Sequence, residues 1–113
     1  MIVFVAGSKR EVVEPSPPTL KKYGLTLNDW KEILACQGYV CAICKKFPSS
    51  GRFYVDHYHA QGYKSMKPEK KKLYVRGELC YFCNKFYVAK GINVQKAMAM
   101  VEYLSDFEKR RPK

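Results

Sequence analysis

Two CxxC pairs, Cys41–Cys44 and Cys80–Cys83, restrict this chain more than any other feature in it. Two residues between thiolates let both sulfurs of a tight turn point at one ion. Two such knuckles close a tetrahedron, the arrangement zinc prefers. Four thiolates fill that shell and leave no place for water, so the expected zinc is structural. Residues 45–79 exceed a usual zinc-finger loop, so something is threaded between the knuckles. The pairing reads as metal rather than disulfide, because the opening MIVFVAGSKR has too short an apolar run for a signal segment and no positive stretch before it. No segment approaches the ~20 apolar residues of a membrane span, and a reducing cytoplasm is the expected compartment. The fifth cysteine, Cys36, is expected to be buried as a small hydrophobe late in a helix.

A chain of 113 residues is the size of one domain with a modest core. Its 21 Lys and Arg against 10 Asp and Glu give a net charge of +11. A small domain this basic usually meets a polyanion, nucleic acid being the commonest, although a solvated basic surface gives the same count. Residues 1–18 read as an N-terminal arm with little core of its own: a short strand at Ile2–Val5, then a proline-rich lead ending EPSPP. LTLNDWKEILACQG predicts a helix capped by Thr26 and Asp29, with Leu27, Trp30, Ile33 and Leu34 on one face and Gly38 as its stop. Strands are expected at Arg52–Val55 and Leu73–Val75, and a helix near the last cysteine pair. A final helix from about Asn93 to Arg110 would carry Val94, Ala97, Met98, Val101, Leu104 and Phe107 as a core-facing stripe. The expectation is a small α+β fold, residues 19–113 forming a single domain.

Between the knuckles lies YVDHYHAQGY, residues 54–63, which holds both histidines. His57 and His59, two apart on a strand, share a face, and on that pattern alone a satisfied structural pair is as good a reading as a site. Three neighbours favour a site. Asp56 directly precedes His57, Asn84 directly follows the last cysteine, and Arg76-Gly77 leads into the second knuckle. If zinc holds the hairpin and the helix start together, Asp56 and Asn84 come within reach of one ion. A carboxylate and an amide oxygen suit a hard cation such as Mg²⁺.

Taken in order, LTLNDWKEILACQGYVCAIC, VDHYH and RGELCYFCN resemble the recombination endonuclease VII family of phages, over roughly residues 20–90. Those are His-Me finger nucleases (HNH-like, with a ββα-metal core). The resemblance implies that Cys41, Cys44, Cys80 and Cys83 hold structural zinc and that Asp56 and Asn84 hold catalytic Mg²⁺, for which Mn²⁺ may substitute. It makes His57 the general base that activates water and His59 a supporting residue near the scissile phosphate. Arg76 would contact a phosphate or brace the fold. The implied protein is a Mg²⁺-dependent DNA endonuclease of a phage, acting in the host cytoplasm as a nicking or branched-DNA (Holliday junction) resolving enzyme. Family members pair through intertwined helices, which leaves a homodimer open.

The chain departs from the family pattern in a long basic stretch carrying Lys64, Lys67, Lys70, Lys71 and Lys72, read as a phosphate-gripping arm or else a solvated loop. It also has Glu78 in RGELC where RGLLC is usual and Tyr87 where some members carry an acid, and the additional C-terminal domain of the junction-resolving members is not expected. The reading from a different class is a zinc-stabilised nucleic-acid-binding module that does not cut. Binding alone would need neither Asp56, His57 nor Asn84.

Overall fold

The computed structural model describes residues 1–112. Strands β1 (Ile2–Val5) and β2 (Ser8–Glu11) form an antiparallel hairpin. Its two-residue turn, Ala6-Gly7, has positive φ at both positions, the backbone that matches the twist of the flanking strands. Helices α1 (Pro17–Lys22) and α2 (Leu27–Cys36) follow. Strands β3 (Tyr54–His57) and β4 (Val75–Leu79) make a second antiparallel hairpin. Helix α3 (Pro68–Lys72) lies in the connection between them, α4 (Tyr81–Phe86) follows directly, and α5 (Val94–Arg110) ends the chain. The result is a small α+β fold with two two-stranded sheets and five α-helices among the described residues.

The start of α2 forms as its sequence dictates. Thr26 Oγ1 accepts from the Asp29 amide at 3.0 Å, and Asp29 Oδ2 accepts from the Thr26 amide at 3.0 Å. Trp30 and Leu34 are fully buried at the centre of the main core, with Leu20, Leu25, Phe53 and Val55 around them. Leu27, expected on the same face, stays partly exposed. Gly24, between α1 and α2, has φ +70°, and a Cβ there would collide with the Pro68 carbonyl of α3. A glycine is therefore what lets α3 approach the connection between α1 and α2.

Residues 1–18 differ from expectation. Val3 and Val12 belong to the main core, and the Val12 and Val13 amides donate to the Met1 and Gly51 carbonyls at 2.7 and 2.9 Å. The expected arm is a packed hairpin, because two inward valines, Val3 on β1 and Val12 just after β2, seat it in the core with Phe53 and Trp30. The second hairpin is also shifted. β4 begins at Val75, and Leu73, expected inside a strand, ends α3 in an exposed position.

Helix α5 forms with Asn93 Oδ1 accepting from the Lys96 amide at 2.8 Å. Its apolar stripe, expected in the core, is exposed: Val94, Met98, Val101, Leu104 and Phe107 are all open to solvent. No other helix or strand among the described residues packs closely along α5, so the stripe stays uncovered. Cys36 is exposed as well, contrary to its expected burial, because it lies on the outer side of α2. No helix among the described residues is long and apolar enough to cross a membrane.

One buried group opposes the fold. Glu78, in the middle of β4, is fully buried, and neither carboxylate oxygen has a hydrogen-bond partner. Burial raises its carboxyl from an ordinary 4.5 to about 8. Across that interval the folded chain holds a proton that the unfolded chain has released, so stability falls as pH rises from about 4.5 to about 8. In zinc-saturated protein, Glu78→Leu should raise the melting temperature, and by more at pH 8 than at pH 6. An equal gain at both values would show that the Glu78 carboxyl does not titrate in this window.

Candidate metal centre and active site

The four knuckle cysteines converge. Their Sγ atoms all lie within 4.8 Å of one another, with Cys44 and Cys80 3.9 Å apart. Tetrahedral zinc with bonds of about 2.3 Å requires sulfurs about 3.8 Å apart, so the cluster needs little contraction to hold the ion. Each knuckle is shaped by a backbone donor: the Ile43 amide reaches Cys41 Sγ, and the Cys83 amide reaches Cys80 Sγ, both at 3.4 Å.

Protonation argues the same way. Burial and then the adjacent thiols raise Cys83 well above the ordinary thiol range, and Cys44 is raised too, with burial the largest cause. Burial also works against the Cys41 thiolate, but surrounding backbone amides and the Cys44 thiol outweigh it and bring Cys41 to about 7. Cys41 and Cys83 are buried while Cys44 is exposed, and a divalent cation would favour the thiolate forms that burial and the neighbouring thiols oppose at Cys83 and Cys44.

A second layer of contacts ties this cluster to the sheet. The Gln37 amide, at the end of α2, pairs with the Glu78 backbone like a short extra strand. Gln37 Oε1 accepts from the Glu78 amide, and Gln37 Nε2 donates to the Glu78 carbonyl, each at 2.8 Å. A Cβ at Gly77 would press on Gln37 Oε1 at 3.1 Å. The sequence carried a faint signal for this, a glutamine just before the helix-ending Gly38.

The two histidines do share a place. Their ring centroids are 4.5 Å apart, and His57 also stacks on Tyr63 at 4.4 Å and meets Tyr23 at 5.3 Å. His57 is half-buried and His59 exposed. Together with Ala60, Gly62, Tyr63 and Lys64 they line a hollow of about 320 Å³. Burial, then the charge of His59, lowers the His57 pKa from 6.5. Asp56 opposes this, and Lys22 and Arg76 reinforce it. Tyr63 and Tyr23 were not singled out from the sequence, because stacking partners at this distance follow only from the path of the connection.

Asp56 points elsewhere. It is buried, and Arg76 clamps it with Nε to Oδ2 at 2.8 Å and Nη2 to Oδ1 at 3.0 Å. Both residues border a groove beneath α5. Asn84 opens onto a different hollow, shared with Tyr54, Val55 and Tyr23. Tyr23 thus stands next to both His57 and the space before Asn84.

A comparison with protein families matches residues 18–106 to recombination endonuclease VII. The chain belongs to that family. Searches of curated proteins and of solved structures returned no match. Membership makes this endonuclease VII relative a nuclease, with DNA as the implied substrate.

The family member carries its lysines on the connection between β3 and β4. Lys64, Lys67 and Lys70 are exposed, and Lys71 Nζ sits 5.6 Å above the Tyr63 ring that stacks on His57. Lys72 is bonded to Asp29 Oδ1 at 2.8 Å, a contact that, with the Thr26 amide, holds the Asp29 carboxyl down at about 2. Exposed ion pairs are worth only about 0.2–1 kcal/mol, too little to keep Lys72 from a stronger anion.

Because the four converging cysteines could hold one zinc ion, purified protein should contain one Zn²⁺ per chain. Cys41→Ser or Cys83→Ser should unfold the domain, seen as lost far-ultraviolet dichroism and zinc content together. Active protein containing no zinc by elemental analysis would refute the assignment.

Proposed function

We propose that this chain is a Mg²⁺-dependent DNA endonuclease of the His-Me finger type, with β3, β4 and α4 as its ββα-metal core and His57 as general base. The observation that carries the proposal is the His57 imidazole itself. It is half-buried in a ring-lined hollow that Lys64 also borders, and burial lowers its pKa from 6.5. A neutral imidazole is what general-base catalysis at physiological pH requires. His57 would take a proton from the attacking water while Tyr63 fixes the plane of its ring. His59, exposed beside it, would meet the scissile phosphate. Lys64, Lys67, Lys70, Lys71 and Lys72 would neutralise the DNA backbone without reading bases.

The donors proposed for the cation fit in kind. Asp56 offers a buried carboxylate and Asn84 an amide oxygen, both hard ligands suited to Mg²⁺ or Mn²⁺. When bound there, Mg²⁺ would neutralise charge developing on the phosphate and on the leaving oxygen. Hydrolysis leaving 5′-phosphate and 3′-hydroxyl ends is the family expectation, and a phage nicking or branched-DNA resolving role goes with it. The exposed apolar stripe of α5 supports a homodimer, since Val94, Val101 and Leu104 gain burial only against another surface.

His57→Ala should lower cleavage by about 10²–10⁴ and leave DNA affinity nearly unchanged. In the wild type the acid limb of the rate profile should lie below pH 6.5, because the lowered pKa keeps the base unprotonated to more acid conditions. Wild-type cutting by His57→Ala, with His59→Ala inactive, would overturn the assignment of the two histidines.

A further inference from the structure

The β3–β4 hairpin contains one register irregularity, and it falls at the proposed site. Asp56 pairs with Gly77 and His57 with Val75, which leaves Arg76 as the extra residue of a bulge. A bulge bends the strand and re-aims a side chain, here onto Asp56. The guanidinium covers both carboxylate oxygens, at 2.8 and 3.0 Å. The two partners differ in freedom: the Asp56 side chain is 9% exposed, that of Arg76 43%. Arg76 has solvent and the groove beneath α5 to move into, whereas Asp56 has no other place to go.

We propose that Arg76 is a displaceable counter-ion, neutralising Asp56 while no divalent cation is bound and passing to a DNA phosphate when one arrives. This rests on the reading of Asp56 as a metal ligand. A planar guanidinium fork binds carboxylate and phosphate in the same two-point manner, so the exchange replaces one good partner by another. A hard divalent cation seeks the oxygens that Arg76 now covers. Holding the cation and the guanidinium on one carboxylate would set like charges side by side. Without DNA, the cation must therefore drive Arg76 into water. With DNA, a phosphate receives it. Cation and DNA consequently strengthen each other's binding, and the coupling is reciprocal.

The test is a Mn²⁺ titration of zinc-loaded protein followed by electron paramagnetic resonance, with zinc content and circular dichroism confirming the fold. The wild type, Arg76→Gln and Arg76→Lys are compared without DNA. Each is then repeated with a short duplex in a His57→Ala background, so that the DNA stays intact, with the duplex alone as reference. Without DNA, Arg76→Gln should bind Mn²⁺ about tenfold or more tighter than wild type. Arg76→Lys, which keeps the charge but loses the two-point grip, should also bind more tightly and carries the test if the glutamine variant does not fold. DNA should tighten Mn²⁺ binding with Arg76 present and add little in Arg76→Gln. If neither variant binds more tightly while Asp56→Asn abolishes binding, Arg76 is a fixed brace and the proposal fails. If Asp56→Asn binds Mn²⁺ like wild type, the metal-ligand reading itself fails, and the counter-ion role fails with it.

Discussion

Four sulfurs gathered within 4.8 Å are the constraint on which the rest of this molecule depends. Cys41 sits in the turn after α2, while Cys80 caps α4 and Cys83 lies within it, so one ion would join the helix-turn half of the chain to the hairpin half. The main core, in which Trp30 and Leu34 of α2 meet Phe53 and Val55, joins the same halves, and a small apolar cluster of Cys41, Leu79 and Cys83 and the Gln37 bridge to Glu78 tie the cysteines to it. A domain this short has a limited core, and metal binding is then folding energy.

The two acids of the hairpin illustrate how burial is resolved in different ways. Asp56 and Glu78 are both buried, on strands that face each other. Asp56 keeps its charge partner in Arg76. Removing one member of a fully buried pair costs about 3–5 kcal/mol, an upper bound here because Arg76 is half exposed. Glu78 has no partner and holds its proton instead.

Much of this was legible in the chain. The CxxC spacing, the Thr26–Asp29 cap, and the helix opened by Asn93 are local patterns, and local chemistry decides them. What the sequence hid depends on contacts between distant residues. Val3 and Val12 look like parts of a tail until Phe53 is placed beneath them. The stripe of α5 has the period of a core helix, but periodicity does not reveal whether anything faces it. The pairing of Asp56 with Arg76 is a matter of strand register, and a single bulge residue settles it. Asp56, His57 and Asn84 were recognisable as residue types, yet alternation along β3 sends Asp56 toward the α5 groove and His57 toward Tyr63.

The cation requirement of the proposed endonuclease is a hard divalent ion distinct from any zinc held by the four cysteines. Its most direct measurement is cleavage of linear duplex, nicked duplex, single-stranded and four-way-junction DNA by zinc-loaded protein, in Mg²⁺ and in EDTA too brief to remove zinc. The expected result is cutting of at least one substrate in Mg²⁺, none in EDTA, and full recovery when Mg²⁺ alone is restored, with zinc content constant throughout. Binding of DNA without cutting of any substrate in Mg²⁺ or Mn²⁺ would contradict it and leave a zinc-stabilised binding module in its place.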